Sequence, residues 1–317
     1  ARKEEANQKD FFAPQELNTT LFVFGTPKVP CIFSLELTKK KWTCHRVPNS
    51  MRLFDRLRIL RLLDNQLLLY QNHSDNFIPE DKFILFNPVK FTIQTLPKRI
   101  KAVYASQMLQ LSADYLYLVG GIRRTEAPLL SNHFEVFSFK DKKWKVLPSM
   151  LITRFEFSVF GSKDYIFVAG GMNTNNDVET SIERYNLNQN VWEMIEMKLI
   201  TPICRGLPLT LSKEFIIMGG LSKHLVLDTV YALRFGFEEK PVCRLMKNMP
   251  MLKAVRNPSW LKLGPTIILK YRLGADPMQG ILEYRYFDAE NVELGPLVEP
   301  NLPANTATLG LDPESIG

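Results

Sequence analysis

The chain has 317 residues, 45% of them hydrophobic, with 40 Lys and Arg against 33 Asp and Glu, a formal net charge of +7 and a pI of about 9.1. That is too apolar for a disordered chain and rich enough in core-forming residues for a large buried interior. The positive excess is modest and scattered: no block of like charges marks a nucleic-acid tail, and no run of about eighteen apolar residues marks a membrane span.

Residues 1–18 open with ARKEEANQKD, polar and charged without a secretory signal, and read as an extension or linker from an upstream region. Beyond them, apolar and aromatic runs return at regular intervals. LFVFG ends at Gly25, LLLYQ at Gln71, YLYLVGG at Gly121, YIFVAGG at Gly171, EFIIMGG at Gly220 and TIILKY at Tyr271, spaced by 46, 50, 50, 49 and 51 residues. Further strand-like segments follow each run, and FEFSVFG alternates as a strand does rather than as a helix stripe. A fixed period of this length is the mark of a repeat architecture.

The third to fifth units carry the pattern most fully. Gly120-Gly121, Gly170-Gly171 and Gly219-Gly220 close their second strands, Phe137, Tyr185 and Tyr231 are the aromatics further on, and Trp144 and Trp192 follow, with Trp42 in that place in the first unit. The fifth unit has PVCRLM where a Trp would stand. This pattern resembles kelch repeats over nearly the whole chain after about residue 18. The resemblance implies an all-β, six-bladed kelch-type β-propeller of four-stranded blades. Its blades would occupy 19–48, 56–97, 102–148, 154–197, 204–248 and 255–299. Radial packing suits such sheets, because each buries a face against its neighbour and leaves short, protected edges. The first unit lacks a good innermost strand, and NTATLGLDP near the C-terminus, at 305–313, fits that place, with 305–312 counted to blade one. The ring is therefore expected to close by pairing the C-terminal strand into blade one. The domain as a whole is expected to span 19–317.

Cys31, Cys44, Cys204 and Cys243 include no C-x-x-C pair and are too sparse for a disulfide scaffold. They are expected as reduced, mostly buried thiols of a cytosolic protein, with a Cys31–Cys44 bridge across one hairpin as the alternative. Constellations for chemistry are missing: no G-x-S-x-G, no H-E-x-x-H, no phosphate loop. His45, His73, His133 and His224 come from different units, and none has the local motif that copper- or iron-binding kelch proteins would need. No metal, no cofactor and no enzyme activity are expected. The rival from another class, a propeller enzyme such as a sugar isomerase or metal oxidase, requires His, Glu or Tyr clustered at the channel mouth.

In a propeller, loops after the Gly-Gly strands share one face with the segments joining blade to blade. In this chain those loops are rich in cations. Arg123, Arg124, Lys223, His224 and Arg272 come from the first set, with Leu129 as an apolar anchor. Arg99, Arg154, Arg205 and Arg256 come from the second. Arginines there suit carboxylates in bidentate contact. Arg154, Arg205 and Arg256 recur at 51-residue steps and equally fit a bracing role within the repeat. The segments 71–82 and 122–132 are the longest insertions on this face. Lys39, Lys40, Lys41, Lys140, Lys142 and Lys143 fall on outer turns, where lysines guard exposed strand edges. The expected function is a protein-interaction module, scaffold or adaptor, that binds an acidic or amphipathic segment of a protein partner. Neither nucleic acid nor membrane is an expected partner. Kelch propellers often follow BTB, B-box, F-box or coiled-coil regions, so a ubiquitin-ligase substrate receptor is the alternative. The expected setting is cytoplasmic, with the cytoskeleton as one site of action.

Overall fold

A computed structural model describes residues 20–24, 31–36, 41–46, 57–71, 83–100, 103–104, 106–123, 129–210, 214–223, 225–235, 241–246, 256–263, 266–273, 281–288 and 293–298. Within these residues every regular element is a strand. The short alternating runs of Val, Ile, Leu, Phe and Tyr, punctuated by Gly, Asn and Pro turns, leave no stretch with helical periodicity.

The strands pair in chain order into successive antiparallel sheets. The second sheet runs Leu57–Arg61, Leu67–Gln71, Phe83–Asn87 and Thr92–Leu96. The third holds Gln107–Ser112, Tyr115–Val119, Phe134–Ser138 and Lys143–Leu147, and the fourth Ser158–Gly161, Tyr165–Ala169, Ile182–Asn186 and Val191–Ile195. The fifth holds Leu207–Thr210, Phe215–Met218, Val230–Arg234 and Val242–Leu245, and the sixth Arg256–Leu263, Thr266–Leu273, Ile281–Asp288 and Glu293–Val298. The first sheet has three strands among the described residues: Thr20–Phe24, Cys31–Glu36 and Lys41–Arg46. The segment 305–312 lies outside the described residues.

The core lies between sheets. Leu68, Phe83 and Leu85 of the second sheet share one buried cluster with Leu116, Phe137 and Trp144 of the third. Phe134 joins the third sheet to Ile166, Tyr185 and Trp192 of the fourth, and Phe160 and Phe167 join the fourth to Ile217 and Tyr231 of the fifth. Each such side chain contributes ~1.5–3 kcal/mol when fully buried, and neither sheet of a pair can bury it alone.

The tryptophans fasten these junctions in the same way twice. Trp144 Nε1 donates to the Pro97 carbonyl at 2.9 Å, and Trp192 Nε1 donates to the Pro148 carbonyl at 2.8 Å, in each case the proline that ends the preceding sheet. Phe83 meets Trp144 at 5.4 Å between ring centroids, and Phe134 meets Trp192 at 5.3 Å. Trp42 departs from the expected core place: it is 45% exposed, against 8% and 5% for Trp144 and Trp192. Trp144 and Trp192 each pack on the sheet before their own. In the fifth sheet the residue opposite Tyr231 is Leu245, so within PVCRLM it is Leu245 that occupies the Trp rank.

The Gly pairs act as the repeat pattern implies. All six of these glycines have positive φ, from 58° at Gly219 to 114° at Gly121. A Cβ on Gly170 would lie 2.2 Å from the Ile203 carbonyl oxygen, because the connector to the next sheet passes directly over the turn. All four cysteines are free thiols, but Cys204 alone among them is buried and Cys44 is exposed. Cys31 lies opposite Arg46 and Cys44 opposite Phe33, so the two thiols are diagonal rather than directly paired.

Candidate binding face

Adjacent strands in each meander run in opposite directions, so the exit of the second strand and the exit of the fourth fall on one side. Backbone bonds join the two sets of segments there. Phe155 pairs with Met172, and Cys204 exchanges both backbone bonds with Leu221, at 2.9 and 2.8 Å. Gly171 N donates to Ile203 O at 2.8 Å and Leu199 N to Thr180 O at 2.8 Å. Each connector from 148–157 and 196–206 is thereby held against loops that follow Gly pairs. The result is a rigid loop face, the kind of surface on which binding residues concentrate.

The candidate arginines divide on this face. Arg154 does not reach solvent: it is fully buried. Its Nη1 donates to Gly170 O at 2.8 Å and Ser181 O at 3.0 Å, Nη2 donates to Ser181 Oγ at 3.0 Å, and Nη2 faces Glu183 Oε1 at 3.2 Å. Glu183, equally buried, accepts the Leu151 N–H at 2.7 Å. Burial draws the Arg154 guanidinium below its usual value and pushes the Glu183 carboxyl up, each against the other's attraction. Arg154 is thus a brace for the connector and the Gly turn, which is the bracing role that its place in the repeat allowed.

Arg205 is different. Phe155–Met172 and Cys204–Leu221 are equivalent bridges, so Arg205 is the counterpart of Glu156, not of Arg154. Both have left-handed backbone, φ 57° and 55°, and their side chains form an ion pair at 2.6 Å. Hydrogen bonding to Glu156 raises the Arg205 guanidinium despite partial burial. The 51-residue step misleads here because equivalence follows the Gly pairs, Gly171 and Gly220, which are 49 residues apart.

Lys223 is exposed on the loop after Gly220, at φ 51°, beside Leu225, which is 70% exposed. Arg99 is half-buried, with its guanidinium over the Phe83 ring at 5.4 Å and Nη1 donating to Ser106 Oγ at 3.4 Å. Arg123 lies opposite Leu129, and Ile122 opposite Leu130, in a small ladder with Val103–Tyr104. The ends of the stretch read as an insertion are therefore paired strands. Arg256 and Arg272 stand opposite each other in the sixth sheet. Arg124 and His224 lie outside the described residues. Among the described residues no group of three or more His, Cys, Asp and Glu could hold a metal ion.

Sequence reasoning missed two buried carboxylates. Glu135 and Glu183 each stand two residues before the repeat aromatic, at Phe137 and Tyr185, and both are fully buried. Val103 takes the rank of Arg154 in the third sheet, since Val103 pairs with Arg123 as Arg154 pairs with Asn173. There the partner of Glu135 is His133, buried at the rank of Ser181 and hydrogen-bonded to it through Nε2. The recurring Glu was the available signal.

Repeated four-stranded antiparallel sheets, turned by Gly pairs and joined by Trp to the sheet before, define a β-repeat protein with a rigid loop face. The family model described as Kelch motif matches residues 112–151 and 153–196, so these two stretches are kelch motifs. It is 27% identical to human Kelch-like protein 38 over 128 residues, 40% of this chain and 22% of that protein. A RING finger domain and kelch repeat-containing protein of Dictyostelium discoideum is 32% identical over 111 residues, 34% of this chain and 11% of its own length. Kelch repeat and BTB domain-containing protein 2 of Cowpox virus is 27% identical over 196 residues, 60% of this chain and 34% of that protein. These matches span about a third or less of each relative.

Proposed function

We propose that this chain is a non-enzymatic protein-interaction module that binds a segment of a partner protein on its loop face, as a scaffold or adaptor. Kelch repeats generally mediate protein interactions, and the observation that carries the reading is local. Connectors and post-glycine loops are locked together through their backbones, while Arg205, Lys223, Leu151 and Leu225 keep exposed side chains on that side. In the same reading the six sheets form a closed six-bladed ring, with 305–312 as innermost strand of the first, three-stranded sheet. Its place of action is the cytoplasm.

Affinity capture from the native lysate tests the function. The intact chain is compared with an Arg205→Ala, Lys223→Ala, Leu225→Ser variant that keeps its melting temperature. Partners retained by the parent and lost by the variant support the face; identical partners on both sink it. A substrate receptor of a ubiquitin ligase is the second reading. It is favoured by relatives whose names join kelch repeats to a RING finger or a BTB domain. Captured partners that become ubiquitinated only when this chain is present would support it; unchanged ubiquitination would remove it.

A further inference from the structure

Two thiols meet on the first sheet. Cys31 lies opposite Arg46, and Cys44 stands two positions before Arg46 on the same strand, so both sulfurs leave the sheet on one face. The Cys44 thiol is hydrogen-bonded with that of Cys31. His45 points the other way, toward the second sheet, where its ring stacks on Phe91 with centroids 3.9 Å apart and its Nε2 shares a hydrogen bond with Ser34 Oγ at 3.0 Å. The thiol face is therefore turned away from the second sheet.

The repeat shows which thiol meets solvent. Cys44 stands two residues after Trp42, the rank of Val146 after Trp144 and of Met194 after Trp192. Those two are 42% and 47% exposed although their sheets have a neighbour on either side, and Cys44 is exposed as well. Cys31 stands four residues before the partner of Trp42, the rank of the buried His133 and the half-buried Ser181, and is itself half-buried. Burial and the hydrogen bond with Cys44 raise the Cys31 thiol, and Arg46 opposite draws it down against them. One sulfur thus faces reagents, and the second stands beside it holding its proton.

The register also fixes what bond the pair makes. Diagonal Cα atoms of an antiparallel pair lie roughly 7–8 Å apart, beyond the span of about 4.4–6.8 Å that an unstrained disulfide bridges. A bond between these sulfurs pulls on the hairpin, and strained or exposed bridges are the readily reduced ones.

We propose that Cys31 and Cys44 form a reversible dithiol–disulfide site, oxidised by hydroperoxides at Cys44 and closed by Cys31. The site is independent of what the loop face binds. The Cys44 thiolate attacks the peroxide: an S–O bond forms, the O–O bond breaks, and an alcohol leaves with the proton that the Cys44 thiol gave up. The Cys31 sulfur then attacks the Cys44 sulfenic acid: the S–S bond forms, the S–O bond breaks, and hydroxide leaves as water with the Cys31 proton. The thiols lose two electrons and the peroxide gains them. Two exchanges with reduced glutathione restore both thiols and leave glutathione disulfide.

The full chain is treated with tert-butyl hydroperoxide, alkylated with iodoacetamide and digested without reductant, and mass spectrometry reads the peptides. A linked Cys31–Cys44 peptide, lighter than the two thiol peptides by two hydrogens, should replace the Cys44 adduct, and reduced glutathione should bring that adduct back. In Cys31→Ser, Cys44 should stop at the sulfenic acid, which dimedone labels, and Cys44→Ser should leave Cys31 reduced. Circular dichroism checks the fold, and Cys31→Ala replaces Cys31→Ser if that variant melts early.

The parent alone can refute the proposal. No linked peptide, a bridge between two chains, a bridge that glutathione leaves intact, or equally fast oxidation of the buried Cys204 would each overturn it. Linkage that forms only in urea would do the same, because it would belong to the unfolded chain. Overoxidation of Cys44 in the parent as fast as in Cys31→Ser would remove Cys31 from its role and the site with it.

Discussion

Arg205 and Glu156 hold the same rank in neighbouring repeats and meet each other: Arg205 N donates to Glu156 O at 2.8 Å, and the side chains pair at 2.6 Å. Opposite charges occupy this rank in the two repeats, so one repeat pairs with its successor across the junction. Both backbones are left-handed, at φ 57° and 55°.

That backbone sets the first prediction. A non-glycine residue in this conformation costs roughly 1–2 kcal/mol, while a half-exposed ion pair contributes ~1 kcal/mol or less. Arg205→Gly should therefore be more stable than Arg205→Ala by about 1 kcal/mol. Urea unfolding of the two variants measures it. Equal midpoints would show that the left-handed backbone carries no strain.

Glu183→Gln removes the nearer counter-charge of the buried Arg154 guanidinium and leaves it Glu179 alone. A loss of about 3–5 kcal/mol is expected for breaking such a pair. Arg154→Met with Glu183→Leu removes both charges and should recover most of the loss. A double-mutant cycle gives the coupling, and additive losses would mean that the backbone acceptors alone hold Arg154.

Gly170→Ala combines a φ of +67° with a Cβ 2.2 Å from the Ile203 carbonyl oxygen. The left-handed backbone alone costs of order 1–3 kcal/mol, and the connector must also shift. A drop in melting temperature of only a degree or two would mean that the connector yields freely.

Trp192→Phe removes the N–H to Pro148 and leaves that carbonyl without its donor, a loss of ~1–3 kcal/mol before packing is counted. Trp42→Phe, at a 45% exposed residue, should stay within ~0.5 kcal/mol of the parent. Thermal unfolding compares them. A large loss at Trp42 would show that its side chain is packed away from water.

Burial pushes the Cys204 thiol from 9.0 up to about 11, and the Tyr185 hydroxyl from 10.0 up to about 12. In both, the folded state holds the proton more tightly than the unfolded state. Their contribution is complete below the usual values and is lost as pH rises from about 9 through about 12. At pH 8, iodoacetamide should modify the exposed Cys44 in the folded chain and spare Cys204 until unfolding. Mass spectrometry locates the adducts, and early modification of Cys204 would show local opening at the Cys204–Leu221 bridge.

The amino-acid sequence by itself determined the repeat, because its causes are local. A turn with positive φ and no room for a Cβ selects Gly, as at Gly170, and a junction that needs area and one donor selects Trp, as at Trp192. Such requirements recur at each period and survive as letters. Tertiary structure alone decided which cations reach solvent. Arg154 and Arg205 look alike 51 residues apart, yet one is sealed beneath Ser181 and Glu183 while the other faces out at the rank of Glu156. Burial and pairing depend on which strand passes over which turn, and a shift of two positions along the connector exchanges a brace for a surface charge.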